Sequence, residues 1–399
     1  MEKDGVDIIK FGFGQSPFLP PKHVIETLKA NAHLKDYAPV QGIEALRDAV
    51  AKFHAKVDGL DITKNDVFIA PGSKILIYSV LASFEHADVL VPAPAWVSYI
   101  PQSYLANHNV IPVECTFEER WRVNPANLER ALAKKKDKNT PTVIIINYPG
   151  NPDGLTYTAD ELKAIADVLR KHNVLVVSDE IYSLLTHNGK HTSLAKFYPE
   201  GTIVTGGLSK WAGAGGWRLG IALLPKDIDK DFKETMLGIA SETYSCATLP
   251  VQMAAIEAYQ LDNAAVKEYI EGQRKIITAL GNYGTDVLSK AGVRLHKPEG
   301  AFYIFPDFSN FKDAFAKKGI KTSNEMCTAL LKDTGVALLP GTAFGMKPES
   351  LTARLAYVEF NGTQALEDLK GHTADELLTT TLKKSKDGFD RMVTWVKGF

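Results

Sequence analysis

Between about residue 65 and residue 225, six short apolar runs recur, each closed by Gly, Pro or Asp, with helical patterns between them. The runs are Val67–Ala70, Val89–Val91, Val143–Asn147, Val174–Ser178, Thr202–Thr205 and Leu219–Leu224. They are mostly β-branched or aliphatic and do not alternate with polar residues. That pattern suits strands buried on both faces of a largely parallel sheet. One intervening helix is explicit: Thr158 and Glu161 form a capping-box pair, and Leu162, Ile165, Ala166 and Leu169 follow at helical spacing. The last third reads differently. Leu295, Ala301–Phe305, Val336–Leu339 and Arg354–Val358 suggest strands separated by helices such as Ser323–Lys332, after a long helix near Ala264–Lys290. The expected fold class is therefore α/β: a large domain with a mostly parallel sheet flanked by helices, plus a smaller α+β domain. The expected division is 31–279 for the large domain and 1–30 with 280–399 for the small one. At 399 residues the chain is long enough for two cores, since single cores rarely grow past about 250–300 residues.

Charge excludes several function classes. Forty-six basic residues against 47 acidic leave no field that would attract nucleic acid or anionic lipid. Cys115, Cys246 and Cys327 lie far apart, with neither disulfide-framework nor zinc spacing. Met1-Glu2-Lys3-Asp4 carries both signs of charge and does not read as a signal peptide. No apolar run approaches the ~20 residues of a membrane span. The expectation is a reduced, cytoplasmic protein with no nucleic-acid or membrane partner.

In open α/β sheets functional groups gather beyond the carboxyl ends of the strands. Reading on from each run gives Gly72-Ser73-Lys74, Asn151, Asp179, Ser209-Lys210 and Arg218. Gly72-Ser73-Lys74 opens a helix whose free N–H groups would hold a phosphate, although Gly-Ser before a helix also serves as a plain cap. Asp179 would be costly to bury unless paired. It caps the following turn or holds a proton on a ring nitrogen. Lys210 sits in Gly206-Gly207-Leu208-Ser209-Lys210-Trp211. Desolvation there would favour the nucleophilic amine that a Schiff-base lysine requires. His187 and His191 have the i, i+4 spacing of a metal pair, but Asn188-Gly189 between them signals a turn, so no metal site is expected. Gly213–Gly216 lacks dinucleotide-loop spacing. Gly207–Trp211 lacks the second glycine of a nucleophile elbow.

Taken together, Asn147-Tyr148-Pro149-Gly150-Asn151-Pro152-Asp153-Gly154, Ser178-Asp179-Glu180-Ile181-Tyr182, Ser209-Lys210 and Gly216-Trp217-Arg218-Leu219-Gly220 resemble the motif set of the class I/II aminotransferases, fold type I pyridoxal-phosphate enzymes. Spacing agrees: 28 residues from Asn151 to Asp179, three on to Tyr182, and eight from Lys210 to Arg218. Gly12–Pro17, Tyr37–Leu46, Pro92–Tyr99, Gly300–Tyr303 and Pro340–Gly345 extend the resemblance over nearly the whole chain.

The resemblance implies pyridoxal phosphate as cofactor, an amino acid and a 2-oxo acid as substrates, and a homodimer. It implies that Lys210 forms the Schiff base and moves the proton, that Asp179 keeps the ring nitrogen protonated, and that Asn151 and Tyr182 bond the ring oxygen. Trp96 would stack on the ring. Gly72, Ser73, Lys74, Ser209 and Arg218 would lie at the phosphate, with Tyr37 reaching it from the partner subunit. Arg354 would grip the substrate α-carboxylate, and Gly14 would let backbone approach the bound amino acid. Three departures stand out. About thirteen residues precede the first loop motif, where the family has some thirty. Gly207 stands where some subgroups have a phosphate-binding Ser. No Arg occurs between Arg218 and Arg274 to serve a dicarboxylate, which leans the substrate toward neutral or aromatic amino acids. The same lysine chemistry also fits a carbon–sulfur β-lyase. A cofactor-sensing regulator would need a DNA-binding module, for which no room is seen before Gly12.

Overall fold

The computed structural model describes Gly5, residues 7–260 and residues 262–399; the expectation for Met1–Asp4 lies outside the described residues. A two-residue strand, β1 (Ile9–Lys10), opens the chain. The large sheet follows with β2 (Val67–Ala70), β3 (Asp88–Ala93), β4 (Asn109–Glu114), β5 (Thr142–Asn147), β6 (Leu175–Asp179), β7 (Thr202–Gly207) and β8 (Gly220–Leu223). Its order is β2-β8-β7-β6-β5-β3-β4. The four pairings from β7 across to β4 are parallel, whereas β8 is antiparallel to both of its neighbours, β7 and β2. β8 is therefore the one strand of this sheet that runs backwards.

The unbroken apolar runs have a simple cause. Successive side chains of a strand point to opposite faces, and both faces are covered. Val143 and Ile145 join the Ser73–Ala82 helix through Leu76, Ile77 and Val80. Ile144 and Ile146 join the Pro125–Leu132 and Ala159–Lys171 helices through Leu128, Leu162, Ile165 and Leu169. The Ala159–Lys171 helix begins at the expected capping box, with Thr158 and Glu161 each bonding the other's backbone N–H.

A 27-residue helix, Ala264–Lys290, leads into the smaller α+β unit. There β9 (Tyr303–Ile304), β10 (Val336–Ala337), β11 (Leu339–Pro340) and β12 (Ala353–Ala356) are short. β12 lies between β11 and β9, antiparallel to both, and β1 pairs in parallel with β10. The start of the chain is thus tied to this unit, and the Phe11 carbonyl accepts the Ala356 N–H at 2.8 Å. This is the expected architecture. Among the described residues no helix is long and apolar enough to cross a membrane.

Close approach of β8 to the start of the Ser73–Ala82 helix requires glycine. A Cβ on Gly220 would fall 2.2 Å from both the Gly72 carbonyl carbon and the Ser73 nitrogen, backbone atoms that cannot swing away, whereas one on Gly216 meets nothing within 4 Å. Gly220→Ala is expected to lower unfolding free energy by roughly 3 kcal/mol, the upper range for overpacking. Gly216→Ala should stay within about 0.5 kcal/mol, as a surface change does. Urea unfolding of the two variants checks this; equal stability would contradict the packing.

Candidate active site

With β8 reversed, one edge of the sheet receives the carboxyl ends of β2, β3, β5, β6 and β7 and also the start of β8. Five loops and the residues before Gly220 therefore converge. After β2 the chain turns at Gly72, with φ +96°, a left-handed value that favours glycine. The Ser73–Ala82 helix then begins with no side-chain cap bond and no acidic residue in its first turn. Gly72 N–H itself turns back to the Ala70 carbonyl. Arg218, also left-handed at φ +55°, lays its guanidinium against this end, bonding Gly215 O at 2.7 Å and Pro71 O at 3.5 Å. A Cβ on Gly72 would sit 2.2 Å from Arg218 Nη2. Open helix N–H groups beside an arginine, with room that a side chain would fill, fit a phosphate.

The β6 end supplies a buried acid. Asp179 is 4% exposed and accepts from Tyr99 Oη at 2.7 Å and Thr205 Oγ1 at 3.3 Å. Thr205 stands there because parallel pairing of β6 with β7 sets it opposite Asp179. Burial pushes the Asp179 carboxyl up from 3.8 to about 6, against the pull of Tyr99, the Ile181 N–H, Thr205 and the Lys210 charge. Lys210 follows β7. Its Nζ donates to Gly14 O at 2.7 Å and lies 5.5 Å from the Tyr182 ring centre. Tyr182 Oη meets Tyr303 Oη at 2.7 Å, and Tyr303 Oη donates to Gly14 O at 3.3 Å. Burial, then the neighbouring Tyr303, holds the Tyr182 phenol well above its ordinary range. Gly14 must lack a side chain, since a Cβ would fall 2.2 Å from Tyr303 Oη. Trp96, after β3, is half-buried, with Tyr99 edge-on at 5.3 Å and Lys74 Nζ 5.0 Å from its ring centre.

Arg354 comes from the smaller unit on β12. Its Nη1 donates to Asn151 Oδ1 at 3.1 Å and its Nη2 to Gly12 O at 2.6 Å, with the Tyr303 and Phe344 rings at 5.0 and 5.1 Å. Among the described residues no carboxylate pairs with it, although it is 6% exposed and its buried Nε has no partner. An arginine out of water with only neutral acceptors and an unused donor is set to receive an incoming carboxylate.

Gly14, Gly72, Ser73, Lys74, Trp96, Asn151, Asp179, Tyr182, Lys210, Arg218 and Arg354 thus lie on or facing one sheet edge, and Ser209 sits next to Lys210, half-buried. Tyr37 stands apart, 89% exposed. Tyr99, Thr205 and Tyr303 were not singled out from sequence. Tyr99 and Tyr303 end the segments Pro92–Tyr99 and Gly300–Tyr303 of the family resemblance, whereas Thr205 is found only through strand register. His187 and His191 each bond a different partner. His187 Nε2 bonds Ala301 O at 3.1 Å, and His191 Nε2 bonds the buried Glu180 at 2.7 Å.

The sequence model of the family described as aminotransferase class I and II matches residues 6–359. An aspartate aminotransferase of Geobacillus stearothermophilus is 37% identical over 363 residues, 88% of this chain and 87% of its own. A Thermus thermophilus aspartate aminotransferase double mutant superposes with a TM-score of 0.84 at 26% identity, over 98% of this chain and 93% of that one. An aromatic aminotransferase of Pyrococcus horikoshii does so with a TM-score of 0.83 at 28% identity, over 99% and 98%.

The raised Asp179 carboxyl has a thermodynamic sign. A group whose folded value exceeds its unfolded one adds stability below the unfolded value and loses it as pH rises through the folded value. The cofactor-free protein should therefore lose on the order of 3 kcal/mol from this group between about pH 3.8 and about pH 6, at up to about 1.4 kcal/mol per pH unit. Asp179→Asn should remove that loss. Denaturant unfolding of both proteins across this range checks it, and parallel stability curves would contradict the burial argument.

Proposed function

The chain belongs to the class I and II aminotransferases, pyridoxal-phosphate enzymes, and from that premise we propose that it moves an amino group between an L-amino acid and a 2-oxo acid with the cofactor held covalently on Lys210. What carries this reading is the position of the Lys210 amine, 2.7 Å from Gly14 O, on the sheet edge that also bears a buried carboxylate and an arginine-flanked helix N-terminus. When bound, pyridoxal phosphate supplies a carbonyl that takes up the amine and a ring that accepts the electron pair left at Cα.

The chain's own groups do the rest. The Ser73 and Lys74 N–H groups and Arg218 take the phosphate, with Gly72 leaving room and Ser209 alongside. Trp96 covers one face of the ring. Asp179 keeps the ring nitrogen protonated, and a cation there stabilises the ionised carboxylate that burial disfavours. Asn151 and Tyr182 hold the ring oxygen. Arg354 receives the substrate α-carboxylate on its fork, each charge-assisted bond contributing about 1.5–3 kcal/mol. Gly14 lets the backbone lie close to the amino acid. Lys210 Nζ, beside Gly14 O where the amino acid would lie, would be the base that takes the proton from the substrate Cα and passes it on to complete the transfer.

The working unit in this reading is a cytoplasmic homodimer, in which the exposed Tyr37 of each chain reaches the phosphate of the other. The large domain then spans 31–279, with 1–30 and 280–399 forming the small one. Aspartate aminotransferases and an aromatic aminotransferase stand among the similar proteins. Both kinds of substrate share the α-carboxylate that Arg354 would hold.

A single-turnover experiment tests the proposal. Holoenzyme mixed with an amino acid and no acceptor should release one equivalent of 2-oxo acid per site and stop, then resume when a 2-oxo acid is added. Continuous release of pyruvate, ammonia and sulfide from cysteine-type substrates without acceptor would identify a β-lyase instead.

A further inference from the structure

Behind Asn151 lies a buried ion pair that the steps above do not use. Arg122 and Asp153 are 5% and 4% exposed. Arg122 Nη2 donates to Asp153 Oδ2, Nη1 to Leu155 O at 3.3 Å and Nε to Arg120 O at 3.3 Å, while the guanidinium lies 5.1 Å from the Tyr157 ring centre. Asp153 Oδ1 in turn accepts the Leu155 N–H at 2.8 Å. Arg120 and Trp121, both left-handed at φ +56° and +55°, turn the chain just before Arg122. Such non-glycine conformations persist only where the surroundings hold them.

The pair closes the loop that carries Asn151. Gly150 N–H donates to Leu155 O at 2.9 Å, and a Cβ on Gly150 would fall 2.3 Å from Asp153 Oδ1 and 2.9 Å from Arg122 Nη2. Asn151 is pinned from the other side by Asn147 Oδ1, which accepts its N–H at 2.7 Å. Its own Oδ1 then meets Arg354 at 3.1 Å. A buried ion pair contributes little net stability against apolar replacements, because desolvation cancels most of the attraction. What it does supply is direction, since a guanidinium fork fixes the angle of the group it binds.

We propose that Arg122 and Asp153 are positioning residues that hold the Gly150–Leu155 loop so that Asn151 Oδ1 orients Arg354 for the substrate carboxylate. The proposal rests on the roles of Asn151 and Arg354 given above.

The test is a set of variants assayed as holoenzyme, with the unfolding midpoint and the binding of succinate and 3-phenylpropanoate read alongside kcat/KM. Asp153→Asn alone leaves Arg122 buried without a counter-charge, so loss of folding there is expected. Arg122→Met/Asp153→Asn removes both charges and should recover the midpoint. That double variant should still lose at least fivefold in kcat/KM and in carboxylate binding, with kcat falling less than KM rises. In an Asn151→Ala background the same double change should cost less than twofold, because the residue it acts through is gone. An equal loss in both backgrounds, or a double variant with wild-type kcat/KM and carboxylate binding, overturns the positioning role. If Asn151→Ala alone leaves both readouts unchanged, the assignment of Asn151 fails and this proposal fails with it. If Asn151→Ala is impaired while the double variant is not, only the positioning role is lost.

Discussion

A carboxylate held almost wholly out of water at the end of β6 is the constraint around which the rest of the site is arranged. Asp179 is tolerated there because Tyr99, Thr205 and the Ile181 N–H bond it and the Lys210 charge lies near. Those supports come from the helix after β3, from the turn after β6, from β7 and from the loop after β7. The acid is stable only in a sheet whose strands end together. β8 completes the arrangement by running backwards, which carries Arg218 to the same edge and brings Gly220 against the start of the Ser73–Ala82 helix. Fold and site are in this sense one set of contacts.

The site has two halves with different physical origins. In the proposed reading, the groups that would face the cofactor stand on the sheet edge and the Ser73–Ala82 helix. Those that would face the substrate carboxylate depend on β12 and on the Gly12–Gly14 segment, since Arg354 is anchored by Gly12 O and Asn151 Oδ1. Gly14 links the halves, because its carbonyl accepts from both Lys210 and Tyr303. Small shifts of the smaller unit would therefore be felt at Arg354 before they reached Asp179.

Much of this was legible in the sequence because burial on both faces leaves a plain signature. Every apolar run between residues 65 and 225 is a strand of the large sheet, and the Thr158 cap and the Ala264–Lys290 helix fall as read. β4 escaped because it lies on the sheet's edge and alternates buried with exposed residues, so no apolar run betrays it. The strands of the smaller unit span two to four residues, too short for a firm periodicity. Leu295 is no strand, only next to a single bridge at Arg294. Tyr303 and Thr205 escaped as site residues because their partners are remote in sequence and become neighbours only through register or domain packing. The Arg122–Asp153 pair is of the same kind, since 31 positions separate its members.

The central claim, that the amine of Lys210 is the one that carries the cofactor, has a direct chemical test. Borohydride reduction of the holoenzyme, followed by proteolysis and mass mapping, should place one pyridoxyl-phosphate mass on the peptide containing Lys210. The same mass on Lys74 or on any other lysine, with Lys210 unmodified, would contradict the account.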